Sequence, residues 1–175
     1  DILNENGYNT AAFTGGFDYD FRYNLINRFS KAEALPSSES QVFGYGSLSQ
    51  STRLASDWME KNSDKKFFVF VQGYDVHCPF TPDKKFDIYD PEYNGTLDAS
   101  ACYITFEDAE PFYKGGKKFF RVNAVFSDRS EDAALDEDDV RHLAALYDSE
   151  IKQTDAVIGR FLDEIENMGL FKNTI

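Results

Sequence analysis

Phe67-Phe68-Val69-Phe70-Val71 is a run of five apolar residues, aromatic and β-branched, between Lys66 and Gln72. A run of this length without polar alternation predicts a strand covered on both faces, as in a parallel sheet. It constrains the fold more than any other feature, because such a strand needs layers on either side. Upstream, Leu54, Ala55, Trp58 and Met59 fall at helical spacing behind Ser49 and Ser51 as candidate caps, so a helix is expected to about Asn62. Asn62-Ser63-Asp64 then forms a turn. Residues 8–14 read as a short strand closed by Gly15-Gly16. Strand, helix, strand in this order implies an α/β layered fold.

Residues 17–40 are aromatic and charged without periodicity and read as an excursion over the surface. Residues 78–135 hold Pro79, Pro82, Pro91 and Pro111 and read as a loop-rich insertion with one hairpin around 117–126. Val140, Leu143, Tyr147, Ile151, Thr154, Ile158, Phe161, Leu162 and Ile165 recur at three- and four-residue steps. They predict one long amphipathic C-terminal helix over 138–168, with acidic residues at its start where the helix dipole favours them. Gly7 suits a left-handed helix stop, so residues 1–7 read as the end of a helix. The stretch Gly169–Ile175 reads as the exit from a helix into an extended segment. Both ends look cut, and the chain is expected to be an internal piece of a larger domain.

With 175 residues, 42% hydrophobic and 16% aromatic, the chain has the material for a real core and is not of disordered composition. Its net charge of −13 argues against nucleic acid or an anionic membrane as partner, since phosphate contacts need clustered Lys and Arg. No apolar run approaches the ~20 residues of a membrane span, and nothing at the start reads as a signal peptide. Cys78 and Cys102 form no CxxC pair; a bridge between them is possible, and spacing alone leaves it open.

His77 follows the apolar strand within Tyr74-Asp75-Val76-His77-Cys78-Pro79-Phe80. The carboxyl ends of strands in open α/β sheets are where ligands bind, so His77 is expected at a cleft, hydrogen-bonding an anionic oxygen or protonating a leaving group. A structural histidine at the edge of the core fits the same position. His142 is expected on the solvated side of the long helix. The acidic run over 128–139 lacks the sixth-position Gly and twelfth-position Glu of an EF-hand, and is expected to be a solvated loop that holds no metal tightly. Neither cysteine is expected to be a nucleophile: Cys78 precedes Pro79 and Cys102 precedes Tyr103. Nucleophile-elbow, phosphate-loop and dinucleotide motifs are missing.

Several segments together resemble the sulfatases. Gly7-Tyr8-Asn9-Thr10-Ala11-Ala12-Phe13 is similar to the family segment in which a helix ends and a strand begins. The apolar strand with His77-Cys78-Pro79-Phe80 resembles its strand ending in a His-x-Pro-aromatic motif. Tyr89-Asp90-Pro91-Glu92-Tyr93-Asn94-Gly95 resembles the loop that follows. Leu146-Tyr147-Asp148-Ser149-Glu150-Ile151 with Asp155, Ile158 and Gly159 is similar to the family's long helix, and Gly169–Ile175 to the lead-in to its second set of metal ligands.

The resemblance implies a partial alkaline-phosphatase-like α/β/α sandwich with a mixed sheet. It implies a parent that hydrolyses sulfate esters of a small molecule or glycan, using a formylglycine and a divalent metal, usually calcium, held by oxygen ligands. The Cys/Ser-x-Pro/Ala-x-Arg motif that yields the formylglycine is not in this sequence. Residues 1–175 are therefore expected to be the central part of a sulfatase catalytic domain, inactive alone and binding no cofactor alone. Of the family's site residues only His77 carries over, as a ligand of the sulfate group. Thr14-Gly15-Gly16-Phe17 stands where many sulfatases have Gly-Lys-Trp-His, which removes a lysine and a histidine from the sulfate. A phosphatase or phospho-group transferase of the same superfamily, or an acidic binding module using the aromatic residues of 106–126, are the alternatives. Exposed sheet edges would favour self-association. The resemblance leaves periplasmic, secreted and cytoplasmic locations open.

Overall fold

The computed structural model describes residues 2–15, 28–34, 47–106 and 110–175. The chain divides into two compact units, residues 1–75 with 154–175 and residues 76–153.

The first unit is built on a parallel sheet in the order β2-β1-β3, from β1 (Asn9–Thr14), β2 (Lys31–Ala34) and β3 (Phe67–Gln72). A short helix, α1 (Ile2–Glu5), leads into β1 through Gly7, whose φ of 79° matches the expected stop. The register sets Ala11 beside Val69 and Phe13 beside Val71. Because side chains alternate across a strand, these four share one face. Helix α2 (Leu48–Glu60) packs on that face, burying Ala11, Phe13 and Ala55 with Leu54, Trp58 and Phe161 around them. The fully buried alanines let helix and sheet approach closely, and Phe13 fills the space between. Truncating Phe13 to Ala would cost about 3–5 kcal/mol.

Three sequence expectations change here. The cap of α2 is Ser47, not Ser49 or Ser51; its hydroxyl accepts from Gln50 N, and the Gln50 side chain accepts from Ser47 N. Ser51 instead faces the sheet, donating to the Gln72 carbonyl at 2.9 Å. Residues 31–34 of the expected surface excursion form β2, while most of the rest of 17–40 lies outside the described residues. Strand β3 pairs only with β1 among the described residues and none of its six residues is buried, so it is an outer strand rather than one covered on both faces. Phe68, on the face away from α2, is 42% exposed and stacks on Phe29.

The second unit holds an antiparallel sheet where a loop-rich insertion was expected. Its centre is β6 (Lys117–Val125), flanked on one side by β4 (Cys102–Thr105) and β5 (Phe112–Lys114) and on the other by β7 (Ser130–Asp136). The region expected to be one hairpin is thus a central strand. It turns from β5 through Gly115 and Gly116, both at positive φ, which is what a two-residue hairpin turn requires. Strand β7 occupies most of the acidic run that was expected to be a loop. Ala133 and Leu135 turn inward, with Asp132 on the opposite face and Glu131 exposed near the strand's start, so the acidity conceals a strand with one apolar face.

Helix α3 (Glu137–Asn167) is the expected long helix. Asp136 caps it, accepting from the backbone N–H of Asp138 at 2.9 Å and Asp139 at 3.0 Å, while Asp139 accepts from Asp136 N at 3.0 Å. Its apolar stripe is only partly used. Ala145, Leu146, Val157 and Ile165 are buried, whereas Val140, Tyr147, Ile151, Ile158 and Leu162 are each more than 40% exposed. The apolar arc is wider than the surface packed against it. At the end of the chain, Phe171–Asn173 is a 3₁₀ turn rather than the start of an extended segment. No described helix is long and apolar enough to cross a membrane.

Candidate functional site

The carboxyl ends of β1 and β3 bring polar groups to the sheet face opposite α2. Thr14 pairs with Gln72 across the two strands. Thr14 is fully buried, and neither its Oγ1 nor Gln72 Oε1 has a hydrogen-bond partner among the described residues. The amide of Gln72 is oriented by its own nitrogen, which donates to the Gly73 carbonyl at 2.7 Å. A buried polar atom left unsatisfied costs about 1–3 kcal/mol. Two such atoms together at the end of a parallel sheet mark a place where a ligand or water completes the bonding.

Helix α2 starts beside them. Leu48 N donates to Asp75 Oδ2 at 2.5 Å. Gly73 makes this possible, because a Cβ there would collide with Leu48 N and Asp75 Oδ2. Burial pushes the Asp75 carboxyl above its ordinary range, against the lowering effect of the N–H groups of Leu48 and of Asp75 itself. The strand ends therefore offer a hydroxyl and an amide oxygen, and Asp75 a carboxyl at the start of α2, groups suited to binding rather than to nucleophilic attack. None of the three was assigned a role from sequence. The signal was there: Thr14 and Gln72 are the polar last residues of their strands, each followed by glycine.

His77 belongs to the second unit and is exposed. Its Nδ1 lies 2.7 Å from the Cys78 carbonyl. A carbonyl only accepts, so Nδ1 carries the proton and any contact to an oxyanion runs through Nε2, which must then be protonated as well. The segment around it is firmly tied. A disulfide joins Cys78 to Cys102 on β4 with the Cα atoms 5.1 Å apart, Phe80 packs edge-on against Tyr147, and Thr81 N donates to the buried Glu150 at 2.9 Å. The possibility that sequence left open is thus realised as a bridge.

His142 is not the solvated residue expected from its helical phase. Its side chain is only 15% exposed, its ring stacks on Tyr93 at 3.8 Å, and Nδ1 lies 3.4 Å from Asp90 Oδ2. Both of those atoms are buried without a well-formed hydrogen bond, so the contact is electrostatic in proximity but poorly aligned. Tyr93 donates its hydroxyl to Asp139 at 2.6 Å, and burial together with that carboxylate raises its pKa to about 12. Asp90 and Tyr93 come from the loop that resembles the family's, and the network fastens this loop to α3.

The family model for sulfatases matches residues 1–175. The chain belongs to the sulfatase family. It is a sulfatase-like hydrolase chain with the α/β architecture described above, and no match was found among curated proteins. Sulfatases generally use a metal ion and a formylglycine. Among the described residues, the grouping of three or more potential ligands is His77, Cys78 and Cys102, whose ligand atoms lie within 4.8 Å of one another. The two sulfurs are bonded to each other, and a soft donor set of this kind does not fit calcium, which takes oxygen ligands. The bridged cysteines do not fit a formylglycine precursor either. No catalytic step is assigned to either group in this chain.

Proposed function

We propose that this chain forms the central, substrate-binding part of a sulfatase catalytic domain that hydrolyses the sulfate ester of a small molecule or glycan. The observation that carries the reading is the pair of buried atoms, Thr14 Oγ1 and Gln72 Oε1, without a partner among the described residues at the carboxyl ends of parallel strands in a chain matched throughout by the family. Formylglycine and calcium belong, on this reading, to residues not contained in the sequence, and the chain alone turns over no sulfate ester. Thr14 and Gln72 hydrogen-bond water or a polar ligand group at the strand ends of the first unit. His77 contacts the sulfate group through Nε2, its ring held by the bond from Nδ1 to the Cys78 carbonyl.

The test is His77→Ala in an active enzyme that contains this segment together with the nucleophile motif. Loss of an acid–base or electrostatic group should lower kcat/KM by roughly 10²–10⁴-fold. The unfolding midpoint should hardly move, because the side chain is exposed. Full activity in the variant, or a midpoint that falls together with activity, would show that His77 is structural.

A further inference from the structure

Helices α2 and α3 enclose a cavity of about 420 Å³ within the first unit, lined by Ser49, Gln50, Arg53, Arg160, Phe161 and Glu164 among others. On α2 the lining residues recur at one helical face, and on α3 they fall at steps of three and four, so the cavity follows from two facing helix surfaces. Phe161 also touches the Ala11, Phe13 and Ala55 core, which gives the cavity an apolar floor. At one end the Ser56 hydroxyl donates to Glu164, joining the two helices.

The two arginines carry the argument. Acidic side chains outnumber Lys and Arg by 31 to 18 in this chain. Yet neither Arg53 nor Arg160 makes an ion pair or hydrogen bond among the described residues, although Glu164 lines the same cavity. In so acidic a protein, two guanidinium groups left unpaired at one cavity concentrate positive charge where the surroundings would otherwise repel an anion. The nearby start of α2 adds the positive end of its dipole. A guanidinium presents parallel N–H donors that match the oxygens of a tetrahedral oxyanion.

We propose that this cavity binds a small molecule carrying a sulfo or phospho monoester group, with Arg53 and Arg160 holding the oxyanion and Phe161 lying against the body of the ligand. The site shares no residue with the strand-end cluster of Thr14, Gln72 and Asp75, and it does not depend on the reading of that cluster.

The experiment titrates glucose 6-sulfate, glucose 6-phosphate and glucose separately into the chain, following the side-chain Nε–H resonances of Arg53 and Arg160 by NMR. Saturable shifts with either ester and none with glucose are expected, and the tighter of the two esters identifies the source of the oxyanion. Arg53→Ala and Arg160→Ala should each weaken binding about tenfold, the loss of one charge-assisted contact. Both side chains belong to exposed residues, so the variants should retain the fold, as the unchanged amide resonances of β1 and β3 would verify. His77→Ala should leave the titration as it was. Esters that give no saturable shift, glucose that binds as well as its esters, or binding that survives both arginine substitutions would overturn the proposal.

Discussion

Removing the Cys78–Cys102 bridge should destabilise the second unit far more than the first. The bridge closes a loop over a separation of 24 residues. The chain-entropy relation gives about 3.5 kcal/mol for a loop of that length at room temperature. Other contacts already hold the segment: Phe80 on Tyr147, Thr81 N on Glu150 and Asp83 N on Gln153 at 2.8 Å. They limit how far the unbridged chain wanders near the native state, so a loss of about 2–3.5 kcal/mol is expected for Cys78→Ala combined with Cys102→Ala. Hydrogen exchange locates the effect. Amides of β4 and β6 should lose protection by that amount, while those of β1 and β3 keep theirs, because the closed loop lies entirely within residues 76–153. Reducing the wild-type protein with a dithiol should reproduce the pattern. A loss below about 1 kcal/mol, or an equal loss in β1 and β3, would refute the reasoning, since neither follows from a loop constraint confined to one unit.

Three further outcomes follow from the polar contacts. Asp75 has a raised folded-state pKa, so its contribution to stability is present below the ordinary carboxylate value of 3.8 and is lost as pH rises through the folded value. Asp75→Asn, which keeps an oxygen for Leu48 N, should therefore gain on the wild type in denaturant midpoint as pH climbs from 3.8 towards neutrality; a gap that stays flat or narrows would contradict this. Tyr93 is raised to about 12 from 10.0, so its hydroxyl contributes stability below 10.0 that disappears as pH rises through about 12; a difference titration against Tyr93→Phe should show the missing phenol ionising there. His142→Ala should cost about 1–2 kcal/mol rather than the negligible amount of a solvated residue, because it removes the stack on Tyr93 and takes from buried Asp90 a neighbour nearer than Arg141 Nε at 3.9 Å; an unchanged urea midpoint would restore the surface reading.

The elements that were legible are those whose signal lies within a few residues. Apolar residues at three- and four-residue spacing announced α2 and α3, and the run from Phe67 to Val71 announced β3. What periodicity could not report was which layers would meet those surfaces. The α3 stripe satisfies the helical pattern throughout, yet Tyr147 and Ile151 remain exposed while Ala145 and Leu146, a step around the helix, are buried. The sheet of β4 to β7 was hidden for a different reason. Its strands are held by pairings between residues up to 23 positions apart, such as Cys102 with Val125, and β7 carries the exposed charges of Glu131 and Asp132 ahead of its inward Ala133 and Leu135.

The candidate residues divide in the same way. The place of His77 after β3 depends only on the strand before it, and its bond to the next residue's carbonyl is local. The meeting of Thr14 with Gln72 could not be read, because it depends on the parallel register of strands 58 residues apart in sequence. Their interest arises only once that register is known: a threonine ending a strand is unremarkable, whereas a fully buried threonine paired with a glutamine, both side-chain oxygens without a partner among the described residues, stands out. The same dependence explains Gly73, which reads as a simple strand terminator until the start of α2 is seen to pass where its side chain would be. The polar strand ends of the first unit are therefore a property of how β1, β3 and α2 are assembled, which no single stretch of sequence contains.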